Sequence, residues 1–334
     1  MMVRSRESSL SDWSGRNVLI SGVSGFLGSW VAKKLVEEGA NVFGVLRSDS
    51  HQSVLNSEGI RERIHIEYGD LSDYRFLEHV INDRSIDSVF HIGAQAIVKK
   101  GRRSPYQTFE TNIRGTYGIL EACRVHQDQV ERIVIASSDK AYGHSDQLPY
   151  LEDMALCGVD PYEVSKSCTD LIANSYARTY SLPVVVLRCG NIFGGGDLNW
   201  DRIFPGIMRS LILGEVLEIR SGPKFMRDYT YVHDVVDAYL CAGAYLDQGK
   251  RFPNAFNISH GKPISISGLL ELCEVELGRS VDVVFREDCE GEIEEQFLDC
   301  SLAASQLGWK SQISLADAIR NTHDWYERFF VSRN

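Results

Sequence analysis

The chain has 334 residues, 43% hydrophobic and 24% charged, which is ordinary usage for a folded globular protein and more chain than one small core needs. Its formal charge of −11 argues against nucleic acid or an anionic membrane as the main partner, although a few local Arg and Lys residues would still suffice for a phosphate. The eight cysteines are scattered without a CxxC pair, which excludes a zinc ribbon or a dense disulfide framework, and no metal is expected.

Residues 1–14 are polar and lack an apolar signal-peptide core, and no run approaches the length of a membrane span; the sequence predicts a cytoplasmic protein with a short mobile leader. Asn17 to Ser21 reads as an apolar strand running into a glycine-rich turn, and Phe26 to Glu38 as an amphipathic helix stopped by Gly39. Strands are expected at Val42–Leu46, Ile64–Tyr68 and Ser88–Ile92, with a helix around Tyr74–Ile81. A long helix follows from about Pro105 to His126, then a strand at Arg132–Ser137, a helix at Pro161–Tyr180 and a strand at Val184–Arg188. This alternation predicts an α/β protein with a doubly wound parallel (Rossmann) sheet.

After Cys189 the rhythm changes. Gly194-Gly195-Gly196 makes a flexible junction, a helix over Asp201–Leu213 and a strand near Val216–Ile219 follow, and the helix Val232–Leu246 and strand Ala255–Ile258 would return to the sheet. The expected organisation is a dinucleotide-binding domain over 15–190 plus about 226–258. A smaller, discontinuous C-terminal substrate domain would take about 191–225 plus 259–334 and close over the carboxyl edge of the sheet, where ligands of open α/β sheets bind.

Gly22-Val23-Ser24-Gly25-Phe26-Leu27-Gly28 carries glycines three apart between a strand and a helix. The first allows a tight turn, the second lets backbone approach a pyrophosphate, and the third lets helix pack on strand, while the helix N-terminus offers free N–H groups to phosphate. Gly22, Ser24, Gly25, Phe26, Leu27 and Gly28 are therefore cofactor-binding candidates, and an ordinary βα turn is the competing reading. At the third strand's end, Asp70, followed by Leu71, is either a partner for the adenine amino group or a helix N-cap. Arg47, at the end of the second strand, pairs with a 2′-phosphate or stacks on the adenine, and Asp49 is the nearby acid for a ribose. The cofactor is NAD or NADP, with Arg47 favouring NADP.

Tyr162 and Lys166 are four positions apart and share one helix face. An ammonium there lowers the phenol's pKa from about 10 towards neutrality, so that the phenolate can take a proton from an alcohol as hydride leaves the carbon. Upstream, Ser137-Ser138-Asp139-Lys140 adds a hydroxyl and an acid–base pair that simple dehydrogenation does not need. A surface ion pair is the alternative for Asp139 and Lys140.

In order along the chain, the glycine motif, Thr111-Asn112-Ile113-Arg114-Gly115-Thr116, the Tyr-x-x-x-Lys pair, Arg188-Cys189-Gly190-Asn191 and Arg227-Asp228-Tyr229-Thr230-Tyr231-Val232-His233-Asp234 resemble the extended short-chain dehydrogenase/reductase family over nearly the whole length. Ser138-Asp139-Lys140, the loop His91 to Ala96 and the stretch Gly194 to Pro205 are similar to its nucleotide-sugar 4,6-dehydratases, the CDP-glucose type above all. Ala141-Tyr142-Gly143 is closer to the wider family, and Arg47-Ser48 to the NADP-dependent GDP-mannose members.

That resemblance implies a catalytic group of Ser138, Asp139, Lys140, Tyr162 and Lys166. Tyr162 and Lys166 also hold the cofactor. Arg202 and Arg227 are candidate diphosphate or base contacts, Asn191 a diphosphate contact and Gln95 a hexose contact, with structural hydrogen bonding as the competing reading for all four. In the implied mechanism the sugar is oxidised at carbon 4, Lys140 takes the carbon 5 proton, Asp139 protonates the departing 6-hydroxyl, and hydride returns to carbon 6. His91 is expected to be a packed core imidazole. The competing functions are a 4-epimerase, reductase or sugar-acid decarboxylase on the same scaffold, or a dinucleotide-sensing protein without turnover. The helices at 105–126 and 161–180 have apolar positions on more than one face, and the resemblance, in which such helices pair across a two-fold axis, implies a homodimer.

Overall fold

The computed structural model describes residues 12–49, 53–286 and 293–331. Its central sheet has seven strands, β1 (Asn17–Ser21), β2 (Asn41–Leu46), β3 (His65–Tyr68), β4 (Ser88–His91), β5 (Arg132–Ser138), β6 (Val184–Cys189) and β7 (Ala255–Ile258). They lie in the order β7-β6-β5-β4-β1-β2-β3, and every pairing is parallel. The order reverses at β1, which pairs with β2 from Asn17 opposite Asn41 and with β4 from Val18 opposite Ser88. This reversal opens a crevice at the strands' carboxyl ends.

Both faces of the sheet are covered, so its strands are apolar throughout rather than alternating. Val134, Val185 and Leu187 pack on one side with α1 (Phe26–Glu37) and α5 (Val232–Asp247). Their neighbours Ile133, Ile135, Val184 and Val186 pack on the other with α2 (Tyr74–Asp83), α3 (Gly115–Val125) and α4 (Pro161–Tyr180). Successive strand side chains thus serve opposite layers.

α4 starts where its local signals say. The Asp160 carboxylate accepts from the Tyr162 N–H, the Glu163 carboxylate accepts from the Asp160 N–H, and Pro161 occupies the first turn. The helix expected from Pro105 to His126 is not continuous. It runs as Pro105–Phe109, a π-helical turn at Glu110–Arg114, then α3. A further short helix, Val98–Arg103, had no clear apolar period to announce it.

Beyond β6 the described residues build three small sheets. Asn191–Phe193 pairs with Tyr229–Tyr231; Met226–Arg227 lies between Ile264–Ser265 and Glu295–Gln296; Leu217–Ile219 pairs with Val283–Phe285. Buried residues of this portion, Leu269, Trp325 and Tyr326 among them, belong to the same contiguous apolar cluster as Val18 and Phe90 of the large sheet.

Residues 1–11 of the expected leader lie outside the described residues. Within its last three residues, Trp13 is only 1% exposed and packs on Phe90 at 5.5 Å between ring centroids. The packed chain therefore begins before Gly15.

Candidate active site

The glycine turn is too tight for side chains. Gly22 has φ +70°, and a Cβ there would sit 2.5 Å from Gly93 Cα, while a Cβ on Gly28 would sit 2.2 Å from the Gly22 carbonyl oxygen. The N–H of Gly25 closes the turn on the Gly22 carbonyl at 2.9 Å, and the first helical bond runs from the Ser29 N–H to the Gly25 carbonyl at 3.0 Å. The N–H groups of Phe26, Leu27 and Gly28 precede that first bond and have no helical acceptor. Such a bare, cation-like helix end beside the β1–β4 crevice fits a pyrophosphate. Ser24 is half-buried in the same turn.

Buried polar groups brace this turn from behind. Ser21 Oγ meets His91 Nδ1 at 2.9 Å and accepts from the Gly93 N–H at 3.0 Å, and His91 Nε2 meets Thr116 Oγ1 at 3.3 Å. Burial first, and then the Lys166 charge, push the His91 pKa down to about 3, so the ring is the neutral core imidazole the sequence suggested.

Arg47 is exposed at the end of β2. Asp49 is held by Arg61 at 2.8 Å and by the Tyr68 hydroxyl at 2.9 Å, so a ribose would have to compete for it. Asp70 is not the cap of α2, a role that falls to Asp73. Instead it accepts from the Ser72 N–H at 2.9 Å and from Ser72 Oγ at 2.7 Å, bonds that hold its pKa below the usual carboxylate value. Leu71 packs against Gly93 and Gly115. From β2 to β5 the sheet order takes three strand steps, about 14 Å, the direction in which an extended dinucleotide would lie.

At the end of β5 the chain enters the short helical turn Asp139–Tyr142, capped by Ser138 Oγ, which accepts from the Lys140 N–H at 3.2 Å. Ser138 Oγ also donates to Asp139 Oδ1 at 2.9 Å. Asp139 is 3% exposed, and its Oδ2 is buried with no hydrogen-bond partner among the described residues. Burial raises its pKa against the opposing pull of Lys140 and Ser138, which favours the protonated form that an acid needs. The surface-pair alternative therefore does not describe Asp139.

α4 brings Tyr162, Ser165 and Lys166 to one buried face. Burial pushes the Tyr162 phenol up to about 12, and the Ser138 hydrogen bond pulls it down, as does the Arg202 charge, while Asp139 adds to the rise. Here the sequence expectation needs correcting. Lys166 Nζ donates to the Ala136 carbonyl at 2.7 Å and is not among the leading influences on the phenol. Burial lowers Lys166 itself to about 8.

The four residues expected at the nucleotide sugar differ in availability. Arg202 reaches Asp197 at 3.0 Å, keeps its side chain 39% exposed and acts on the Tyr162 phenol. Asn191 donates to the Asp228 carbonyl at 3.3 Å. Arg227 is 6% exposed, and its Nη1 donates to the carbonyls of Met226 and Glu294, both at 2.8 Å, so part of its fork braces backbone. Gln95 spends its amide on its own loop and on the helix Pro105–Phe109, with Oε1 accepting from the Ile97 N–H at 2.6 Å and Nε2 donating to the Ile97 carbonyl at 3.0 Å and to Thr108 Oγ1 at 3.3 Å.

Two residues had no assigned role in the sequence. Asn112, in the π turn, accepts from the Gln95 N–H at 2.7 Å and donates to the Gln95 carbonyl at 3.0 Å and to Ser165 Oγ at 2.9 Å. It ties the loop after β4 to α4, and a π turn is a frequent device for such an aim. Gln296 is fully buried, accepts from Lys140 Nζ and donates to the Asp139 carbonyl at 3.4 Å. Asn112 stands inside a quoted motif and could have been suspected; Gln296 carries no local signal.

A family model described as GDP-mannose 4,6 dehydratase matches residues 19–322. The chain is 28% identical to the CDP-glucose 4,6-dehydratase of Salmonella typhimurium, with 94% of this chain and 91% of that protein covered. It is 30% identical to the dTDP-glucose 4,6-dehydratase of Streptomyces antibioticus, with 93% and 92% covered. Among solved structures, the UDP-glucose-4-epimerase of Stenotrophomonas maltophila with bound NAD and formylated UDP-arabinopyranose gives a TM-score of 0.85 at 28% identity, covering 95% of this chain and 99% of that one. Dehydratases and an epimerase thus both stand among the similar proteins.

Proposed function

This chain belongs to the GDP-mannose 4,6-dehydratase family, and from that premise we propose that it converts a nucleoside-diphosphate hexose to the 4-keto-6-deoxy product. The observation that carries the choice over 4-epimerisation is the buried Asp139, with its raised pKa and an oxygen that has no partner among the described residues, beside Lys140 and Ser138. Epimerisation at carbon 4 needs a hydride acceptor and the phenol; elimination of water also needs an acid and a base.

A bound nicotinamide dinucleotide would supply the hydride acceptor, taking hydride from carbon 4 and returning it at carbon 6. The Gly22–Gly28 turn and the α1 N-terminus would hold its pyrophosphate, and Arg47, exposed beside an already engaged Asp49, supports NADP over NAD. Tyr162 takes the 4-hydroxyl proton while Ser138 holds that hydroxyl; burial sets the phenol at about 12, so it would act as phenolate only with a positive nicotinamide bound beside it. The ketone at carbon 4 acidifies carbon 5, and Lys140, as neutral amine, removes that proton. Asp139 gives its proton to the 6-hydroxyl, which leaves as water, and a proton returns to carbon 5 as hydride reaches carbon 6. The cofactor would end as it began, and passage of the proton held by the Tyr162 phenol to the Asp139 carboxylate, by way of solvent, restores the enzyme.

The sheet topology supports assigning 15–190 with about 226–258 to the dinucleotide and about 191–225 with 259–334 to the nucleotide sugar. Exposed Tyr106, Tyr117, Val125, Leu171 and Tyr180 on the helices around α3 and on α4 support a homodimer through those helices. No helix among the described residues is long and apolar enough to cross a membrane.

The test is product analysis after incubation with CDP-, GDP-, UDP- and dTDP-hexoses. Loss of one water with a 4-keto-6-deoxy spectrum by NMR is expected from one of them. Recovery of the carbon 4 epimer, with no loss of water from any of the four, would replace this reading with epimerisation.

A further inference from the structure

The corner that holds Asp139 and Lys140 is closed by a residue 156 positions further along the chain from Lys140. Gln296 lies on the two-residue strand Glu295–Gln296, paired in parallel with Met226–Arg227. Its amide can take only one orientation. With Oε1 accepting from the Lys140 amine and Nε2 donating to the Asp139 carbonyl, a flip would set donor against donor and acceptor against acceptor.

The backbone around it is pinned on three sides. Arg227 donates to the Glu294 carbonyl at 2.8 Å, the Leu298 N–H donates to Asp228 Oδ2 at 2.9 Å, and the Tyr150 N–H and carbonyl bond the Phe297 carbonyl and the Asp299 N–H, each at 3.0 Å. A fully buried amide set this firmly is pre-organised to fix the groups it touches. An amide oxygen accepts an N–H from an ammonium or from a neutral amine alike, and at neutral pH it does not itself take a proton.

Resting on the dehydratase reading above, we propose that Gln296 is a positioning residue for the proton transfers at carbons 5 and 6. It anchors the Lys140 amine on one side and the Asp139 backbone on the other, so the C-terminal portion of the chain supplies the part that aims the elimination step. Among the described residues, the charged and titratable groups around this corner include Asp139, Arg227, Asp228, Tyr150, whose hydroxyl also bonds Gln296, and Tyr162.

The experiment compares the full chain with Gln296→Met and Gln296→Glu in single turnover. Nicotinamide reduction reports oxidation at carbon 4, and solvent deuterium at carbon 5 reports the Lys140 step. In Gln296→Met, reduction stays at the wild-type rate and KM is unchanged, while carbon 5 exchange and kcat fall about 10–100-fold, the usual loss when a supporting partner is removed. In Gln296→Glu, a carboxylate against Lys140 favours the ammonium, so the elimination rate needs a higher pH to reach half its plateau. Folded variants with wild-type exchange rate and pH profile would overturn the proposal.

A second readout does not depend on the reaction. Acylation of Lys140 by an amine-selective reagent, followed by peptide mass spectrometry across pH, shifts its midpoint upward in Gln296→Glu. An unmoved midpoint in a folded variant overturns the positioning role. A moved midpoint, in a protein whose wild type only epimerises, leaves the Gln296 anchor on the Lys140 amine standing and removes the dehydratase reading, and with it the elimination step. Should the buried carboxylate prevent folding, Gln296→Met, near in shape and uncharged, decides the question through the split between reduction and exchange.

Discussion

Arg188 holds Asp170 with both arms of its guanidinium, Nε to Oδ2 at 3.1 Å and Nη2 to Oδ1 at 2.8 Å, with both side chains nearly fully buried. The same guanidinium donates to the Tyr142 hydroxyl at 2.7 Å and to the Glu152 carbonyl at 2.9 Å. One pair therefore ties α4 and β6 to the turn that carries Asp139. Asp170→Ala leaves the cation buried without its counter-ion, an expected loss of about 3–5 kcal/mol. The check is the urea midpoint, with a drop several times larger than for Tyr142→Phe; a near-equal drop would remove the special weight given to the pair.

His91 gives a pH dependence of known sign. The fold holds it neutral down to about pH 3, whereas the unfolded chain takes a proton near its ordinary value of about 6.5. Below that pH the unfolded state binds more protons, so this component of stability, complete above about 6.5, falls by up to about 1.4 kcal/mol per pH unit until the folded ring titrates near 3. Unfolding free energies from pH 7 to pH 4 should show a steeper acid loss in the wild type than in His91→Gln, and equal slopes would show that another group carries the titration.

Replacing Lys140 with Met should leave dinucleotide binding and the reduction step intact while lowering dehydration about 100- to 10,000-fold, the range of a positioned general base. Solvent exchange at carbon 5, followed by NMR on the recovered nucleotide sugar, is the direct measure. Undiminished exchange would transfer the base role elsewhere.

Arg47→Ala should weaken NADPH binding about tenfold and leave NADH binding nearly unchanged, because one charge-assisted pair with a 2′-phosphate contributes about 1.5 kcal/mol or more. Titration of both dinucleotides by tyrosine and tryptophan fluorescence measures this. An equal loss for both would place Arg47 over the adenine.

What the sequence made legible was local. The turn at Gly22–Gly28, the start of α4 at Asp160–Pro161 and the shared face of Tyr162 and Lys166 follow from chemistry within a few residues. So does the Asp139–Lys140 pair at the end of an apolar strand. What stayed hidden depends on distant chain. Lys166 meets the Ala136 carbonyl of β5, and Arg227 Nη1 meets the carbonyls of Met226 and Glu294. Gln296 reaches Lys140 only because a two-residue strand docks beside Arg227. The π turn around Asn112 lies within an otherwise regular helical pattern, which disguises the extra residue that turns the side chain towards Gln95 and Ser165.

Trp13 has a practical meaning for handling the protein. Its indole is wedged beneath Phe90 and lies so close to Gly243 that a Cβ there would sit 2.6 Å from the ring, while Arg132 covers it at 5.9 Å. A shortened version that starts at Ser14 would keep every reacting group yet leave a hole the size of an indole under the sheet, a penalty of about 3–5 kcal/mol. Affinity tags therefore belong ahead of residue 12, and trimming past it to aid crystallisation would trade tidiness at one end for a softened floor.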